Sequence, residues 1–149
     1  MAMKLSTGKV AFPIEFDNGD KDCIYFNPND PNLAVRFTEF QDKVNERLKE
    51  FEDVDLTPEG EPDDFEFIEK FKKMQAVLFE ELDKAFDSKV SEIVFKHCSP
   101  FAIVQGDYFI MHFIEAISPE IEKNIKKSNA EAEKRMAKHT AKYGKYMKK

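Results

Sequence analysis

The side chains able to do chemistry are few: three histidines, two cysteines and one acidic turn. His112 stands three residues before Glu115, a spacing that puts both on one face of a helix, where an imidazole and a carboxylate could pass a proton. The same histidine, set in an otherwise apolar run, also suits a place at the rim of the core held by hydrogen bonds, and this is the reading adopted. His97 and Cys98 are adjacent, and adjacent side chains seldom turn toward one ligand, whereas metal sites need converging donors. Cys98 has no electropositive frame in its neighbourhood, so it is expected to be an inert thiol. Asp17-Asn18-Gly19-Asp20-Lys21-Asp22 alternates oxygen ligands as a calcium loop does. Its twelfth position lacks the required acidic residue and its flanks read as strands, so a hairpin turn explains it better. The chain has no phosphate-cradling glycine loop, no GxSxG and no HExxH. No enzyme, cofactor or metal is therefore expected.

The elements that must position these groups follow from periodicity. Val10, Phe12, Ile14 and Phe16 alternate with other residues, which places all four on one face of a strand. Pro13 cannot donate to a ladder, so this strand is expected at an edge or with a bulge. Asn18-Gly19 favours a tight hairpin turn, and Cys23–Phe26 returns as the second strand. A further short strand at Met3–Leu5 is a weaker expectation. Asp30 and Pro31 make an N-cap and first-turn pair. Leu33, Phe37, Phe40, Val44, Leu48 and Phe51 then recur at steps of three and four, the stripe of an amphipathic helix to about Glu52. Residues 53–63 are acidic and broken by Pro and Gly, which marks an exposed loop. A second helix begins near Asp63 or Asp64, with Phe65, Ile68, Phe71, Met74 or Gln75, Leu78, Leu82 and Ala85 or Phe86 as its stripe. Phe67, Val77 and Phe79 widen its apolar face. A short helix around Val90–Phe95 follows a break at Asp87-Ser88. Phe101–Val104 is ambiguous between helix and strand, and Gly106-Asp107 punctuates it. Tyr108–Ile117, interrupted only by His112 and Glu115, is expected to be a central buried helix, with Ser118-Pro119 starting another.

Charge is unevenly spread. The net charge is −6. From Lys123 to Lys149 ten Lys and Arg face two Glu, a net +8, while the other 122 residues carry 13 Lys and Arg against 27 Asp and Glu, a net −14. The basic segment could neutralise phosphates through Lys134, Arg135, Lys138 and Lys142 and stack bases on Tyr143 and Tyr146. The acidic body opposes a nucleic-acid role, and an acidic partner or neighbouring subunit suits the segment better. A solvated terminus is the plain alternative. Fifteen Phe and no Trp point to an aromatic core. Two cysteines far apart give no disulfide scaffold. Met1–Leu5 has no apolar run to follow, so no signal peptide is expected, and no stretch approaches a membrane span.

The order of segments resembles a family of small proteins from long-tailed phages of Gram-positive bacteria. The resemblance is carried by Phe26, Asn27, Pro28, Asp30, Pro31, Arg36 and Phe37 in IYFNPNDPNLAVRFTEF, by Phe86, Val94 and Phe95, and by DYFIMHFIEAISPEIEK. It covers residues 8 to 127, and its motifs are structural rather than catalytic. It implies a tail assembly chaperone that coats the tape-measure protein, or contacts tail-tube subunits, in the host bacterial cytoplasm and is absent from the finished virion. The acidic loop at Thr57–Pro62 and the basic tail depart from what the resemblance covers.

The resulting expectation is a mainly α (α+β) protein: an N-terminal β-hairpin packed on a helical body within residues 1–127, and a basic C-terminal helix or tail at 128–149. Its partners are other proteins, with a homo-oligomer allowed for, no membrane and no nucleic acid. Candidate contacts are Phe67, Phe79, Lys134, Arg135, Lys138 and Lys142. The runner-up is a phage accessory protein that binds and inhibits a host defence factor.

Overall fold

The computed structural model describes residues 1–53, 64–123 and 134. The acidic loop at 54–63 and the basic segment at 124–149, Lys134 apart, lie outside the described residues.

The N-terminal hairpin forms as its alternation requires. Strands β1 (Val10–Glu15) and β2 (Lys21–Phe26) pair antiparallel, with Phe12 opposite Ile24 and Pro13 opposite Cys23. The turn is wider than a two-residue Asn-Gly link. Phe16 N–H donates to the Asp20 carbonyl at 2.9 Å, and Gly19 N–H donates to the Phe16 carbonyl at 3.0 Å. Only Gly19 (φ 88°) takes a positive angle here, which makes a three-residue loop closed by a glycine bulge. Counting back from the Phe16–Asp20 bond, ladder hydrogen bonds fall at Ile14 and Phe12. Pro13 therefore sits where an N–H would point away from β2 and none is missed. Phe12, Ile14 and Phe16 are half-buried while Val10 is exposed, so the inner face loses its first expected member at the strand's open end. Met3–Leu5 forms no strand, and both Met3 and Leu5 are exposed.

The first helix, α1 (Pro31–Asp53), begins where expected. The Asp30 carboxylate accepts from Asn32 N–H at 3.0 Å, satisfying an amide that the helix cannot. Leu33, Phe37, Phe40, Val44 and Leu48 are buried and Phe51 half-buried, so the whole expected stripe faces inward. Helix α2 (Asp64–Phe86) runs antiparallel to it, as the ring pairs Phe37–Phe86 and Phe51–Phe71 require. Arg47 joins the two helices by donating to Glu81 at 3.0 Å, and Arg36 donates to the Ala85 carbonyl at 2.9 Å in the last turn of α2. Leu78, Leu82, Ala85 and Phe86 are buried, but Ile68 is exposed. Among the described residues nothing on α2 before Leu78 is fully buried, so the expected stripe is only partly used in its first half.

Two caps turn the chain after α2. Asp87, at φ 52°, ends the helix in the left-handed region. Ser88 N–H donates to the Asp83 carbonyl at 3.1 Å and Asp87 N–H to that of Lys84 at 3.3 Å, the paired bonds of a Schellman stop. The Asp83 carboxylate then caps the next helix, α3 (Ser91–Val94). It accepts from Ser91 N–H at 2.7 Å, Val90 N–H at 2.9 Å and the Ser91 hydroxyl at 2.9 Å. The ambiguous Phe101–Val104 run resolves into half of a small hairpin, β3 (Ile103–Val104) with β4 (Asp107–Tyr108). Gln105 and Gly106 both take positive φ, as a two-residue turn of this hand demands.

The last helix, α4, covers residues 109–123 of the described chain. Ile110, Ile114, Ile117 and Ile121 form its buried stripe, at steps of four, three and four. Two expectations are corrected here. The helix is not buried all round: Phe109, Met111 and Phe113 are half-buried, and Glu115, Ala116 and Glu120 are exposed. Ser118-Pro119 does not start a new helix, because α4 runs straight through it. The Ser118 hydroxyl donates to the Ile114 carbonyl at 2.6 Å, a local bond of the kind that bends a helix and eases a proline ring into place.

The core is aromatic at its centre. Phe26 lies 4.3 Å from Phe12 and 5.0 Å from Phe86, and Phe86 also meets Phe37 and Phe113. A second group joins Phe51, Phe71, Phe101 and Tyr108. The structure is thus α+β, mostly helical, with the hairpin packed on the helices. Among the described residues no helix is long and apolar enough to cross a membrane.

Candidate functional site

The hairpin and α4 do not close fully on one another. Between them lies a groove of about 720 Å³. Strand β1 contributes Phe12, Ile14 and Phe16, and α4 contributes Phe109, Phe113, Ala116 and Ile117. Ile24 and Val94 lie deeper, and Val104 borders the groove from β3. The origin of the groove is in the sequence of α4. Its run of apolar residues exceeds the single buried stripe, and Phe109 and Phe113, half-buried at the edge of the core, also line the groove. Among the described residues no Lys or Arg lines the groove, whereas Glu15, Asp17 and Glu120 border it.

His97 and His112 also line this groove, and the structure gives each a holding role. His112 Nε2 lies 2.5 Å from the Val104 carbonyl, so that nitrogen carries the proton and donates it. The bond ties the β3–β4 hairpin to α4. Glu115 is exposed one turn further along. His97 Nε2 lies 2.7 Å from the Asp20 carboxylate and its ring meets Phe16 edge-on at 4.8 Å. Cys98, beside it, is half-buried, and burial first and Asp17 second raise its thiol pKa, which makes it a poor nucleophile.

The acidic hairpin turn is spoken for by the chain itself. Lys96 Nζ lies 2.7 Å from Asp20 and 2.8 Å from Asp22, and 5.4 Å from the centre of the Phe16 ring. An ammonium therefore occupies the position between the carboxylates. No group of three or more metal-ligating side chains converges among the described residues. The hydrogen bond from Lys96, then that from His97, lowers the Asp20 carboxyl from 3.8 to about 2. Asp22 is lowered too, chiefly by Lys96. A carboxylate depressed in the fold contributes stability above its unfolded pKa and loses it as the pH falls through the folded one. The tie between the turn and the segment that follows α3 is thus expected to hold at neutral pH and to release between about pH 4 and about 2. Both carboxylates are partly solvent-exposed, so the effect is screened by salt. Following the Asp20 carboxyl by NMR should give a midpoint near 2, and a midpoint at the ordinary aspartate value would contradict the contact.

The residues singled out from sequence fall elsewhere. Phe67 is half-buried on α2 with its ring over Phe71, and Phe79 is half-buried and stacked on Phe95 at 5.2 Å. Met74 and Met111 pack against the core. Lys134 is helical and exposed, while Arg135, Lys138 and Lys142 lie outside the described residues. The groove itself was not foreseen, although the apolar excess of Tyr108–Ile117 was its signal. No protein family, curated protein or solved structure shows significant similarity to the chain.

Proposed function

We propose that this protein is a tail assembly chaperone of a long-tailed phage, and that it holds an apolar helical segment of the tape-measure protein in the groove between β1 and α4. The observation that carries the reading is the groove: aromatic walls, an acidic border, and no polar constellation suited to catalysis among the described side chains. Its volume has room for a few large side chains rather than an entire helix. That suits recognition of anchors at i, i+3 or i+4, and i+7 along a partner helix. A tape measure is a long, largely apolar helix that would aggregate alone, and shielding its anchors would keep it soluble until the tube forms round it. The segment order resembling the phage family supplies the partner's identity, and the acidic body would keep a multi-copy coat in solution. Phe67 and Phe79, half-buried on α2 outside the groove, would serve as a separate contact.

Co-expression with the tape-measure protein, followed by size exclusion with light scattering, tests the proposal. A soluble complex containing many copies of this chain is the expected result. An insoluble tape measure beside an unbound chain would refute it.

A further inference from the structure

We propose that the N-terminal segment Met1–Leu5 of one copy of this chain lies as an added strand along the free edge of β1 in a second copy, filling that copy's groove. In its own chain the segment forms no strand, and its large apolar side chains stand in solvent: Met3 is 83% and Leu5 80% exposed, and Met1 is more open still. Met1, Met3 and Leu5 occur at every second position, so in an extended strand they share one face, and Lys4 falls on the other.

The groove has the matching form. Phe12 to Asp17 line it without a gap, so it follows the length of β1. Among the described residues no strand pairs with β1 on the side away from β2. By the alternation of the ladder, the Pro13 carbonyl and both main-chain groups of Glu15 point to that side. An added strand satisfies them, a mode of recognition in which main-chain bonds give affinity and alternate side chains give specificity. The faces agree as well. Phe12, Ile14 and Phe16 hold the inner face of β1, and Glu15 and Asp17 the outer. With Met1, Met3 and Leu5 on the inner face, their flexible side chains meet those three residues and the rings of Phe109 and Phe113. Lys4 then stands on the outer face, beside carboxylates of opposite charge. The opposite register would put the methionines in water, so burial selects this one. Five residues of segment lie against six of strand, similar lengths at about 3.3 Å per residue.

The segment comes from a second copy because its own root is tied elsewhere. The Thr7 carbonyl accepts from Asn27 Nδ2 at 3.0 Å, on the β2 side of the hairpin. Lys9 Nζ lies 3.5 Å from the Asp87 carboxylate, past the end of α2. To run along its own β1, the segment would have to fold back over residues 8 and 9 and give up the Asn27 bond. A neighbour's segment meets no such demand. The contact joins two different surfaces, so it closes either by reciprocal exchange in a dimer or around a ring. It goes beyond the chaperone reading and does not depend on it, although a foreign helix in the same groove would compete with it.

The test uses the full chain without any partner, so its failure leaves the binding of a foreign helix to be judged separately. Two variants are made: Met3→Asp with Leu5→Asp in the segment, and Ala116→Trp in the groove wall. All three positions are exposed, and circular dichroism with thermal melting confirms that each variant folds. Sedimentation equilibrium should show the wild type self-associating and each variant at least tenfold weaker. Mixing the two variants should restore a heterodimer, because one still offers an open groove and the other an intact segment. A wild type that stays monomeric at its highest soluble concentration would overturn the proposal. So would association that either variant leaves unweakened, or two weakened variants that fail to pair with one another.

Discussion

Phe86→Ala is expected to destabilise the fold by about 4 kcal/mol, within the range for emptying a buried phenylalanine site. The residue is 1% exposed and sits where every layer meets. Its ring touches Phe26 of β2 edge-on, Phe37 of α1 edge-on and Phe113 of α4 at a tilt. Truncation removes three aromatic contacts at once, and three rigid elements cannot all relax into one void. A typical domain has only about 5–15 kcal/mol in hand. The midpoint of thermal unfolding should accordingly fall by about 10 °C or more. Phe86→Leu keeps most of the volume and should cost less than half as much. Urea unfolding of the three proteins, followed by far-ultraviolet circular dichroism, measures both. A loss below about 1.5 kcal/mol for the alanine variant would mean that the hairpin is not locked to the helices through this ring.

Asp83→Ala should cost about 2–3 kcal/mol, a large effect for a residue that is only half-buried. Its carboxylate accepts three hydrogen bonds at the start of α3, from two backbone amides and from Ser91, which is 6% exposed. Val90 N–H retains a second acceptor in the Ser88 carbonyl at 2.9 Å. Ser91 keeps none of its acceptors, and leaving its buried amide and hydroxyl unsatisfied is what makes the change expensive. Asp83→Asn preserves an oxygen for the amides and should recover more than half of the loss. Equal losses for the two variants would show that charge, not the cap, is what matters. The same denaturant titration separates these outcomes, and hydrogen exchange at Val90 and Ser91 localises the damage.

The long elements were legible because each repeats a simple period. Six positions on α1 carry one stripe and all six turn inward, with only Phe51 at the margin. The hairpin and the Asp30 cap are likewise local: their causes lie within a few residues of their effects. What could not be read is what distance in the chain hides. Asp20 and Asp22 look like ligands in a turn until Lys96 and His97, more than seventy residues on, arrive to neutralise them. Asp83 looks like an exposed acidic residue on a helix until the left-handed Asp87 turns the chain back over it. Pro119 reads as a helix start because proline favours the first turn, yet here the packing of Ile114, Ile117 and Ile121 carries the helix past it. The groove was hidden for a related reason. A run of apolar residues announces burial, but its sequence does not say that the core has room for one face only.

If the groove is where a partner helix binds, Ala116 gives the most direct test. Ala116 is exposed on α4, at the groove wall, and is not part of the core cluster. Ala116→Trp should occupy the groove at a helix-propensity cost below about 1 kcal/mol. The measurement is the affinity of an apolar helical peptide from the tape-measure protein for the wild-type and variant chains, by calorimetry, with matching melting curves as the control. Binding to the wild type and at least a tenfold loss in the variant, about 1.4 kcal/mol, are expected with the fold intact. Equal affinity in both proteins would contradict helix binding in the groove and move the contact away from it.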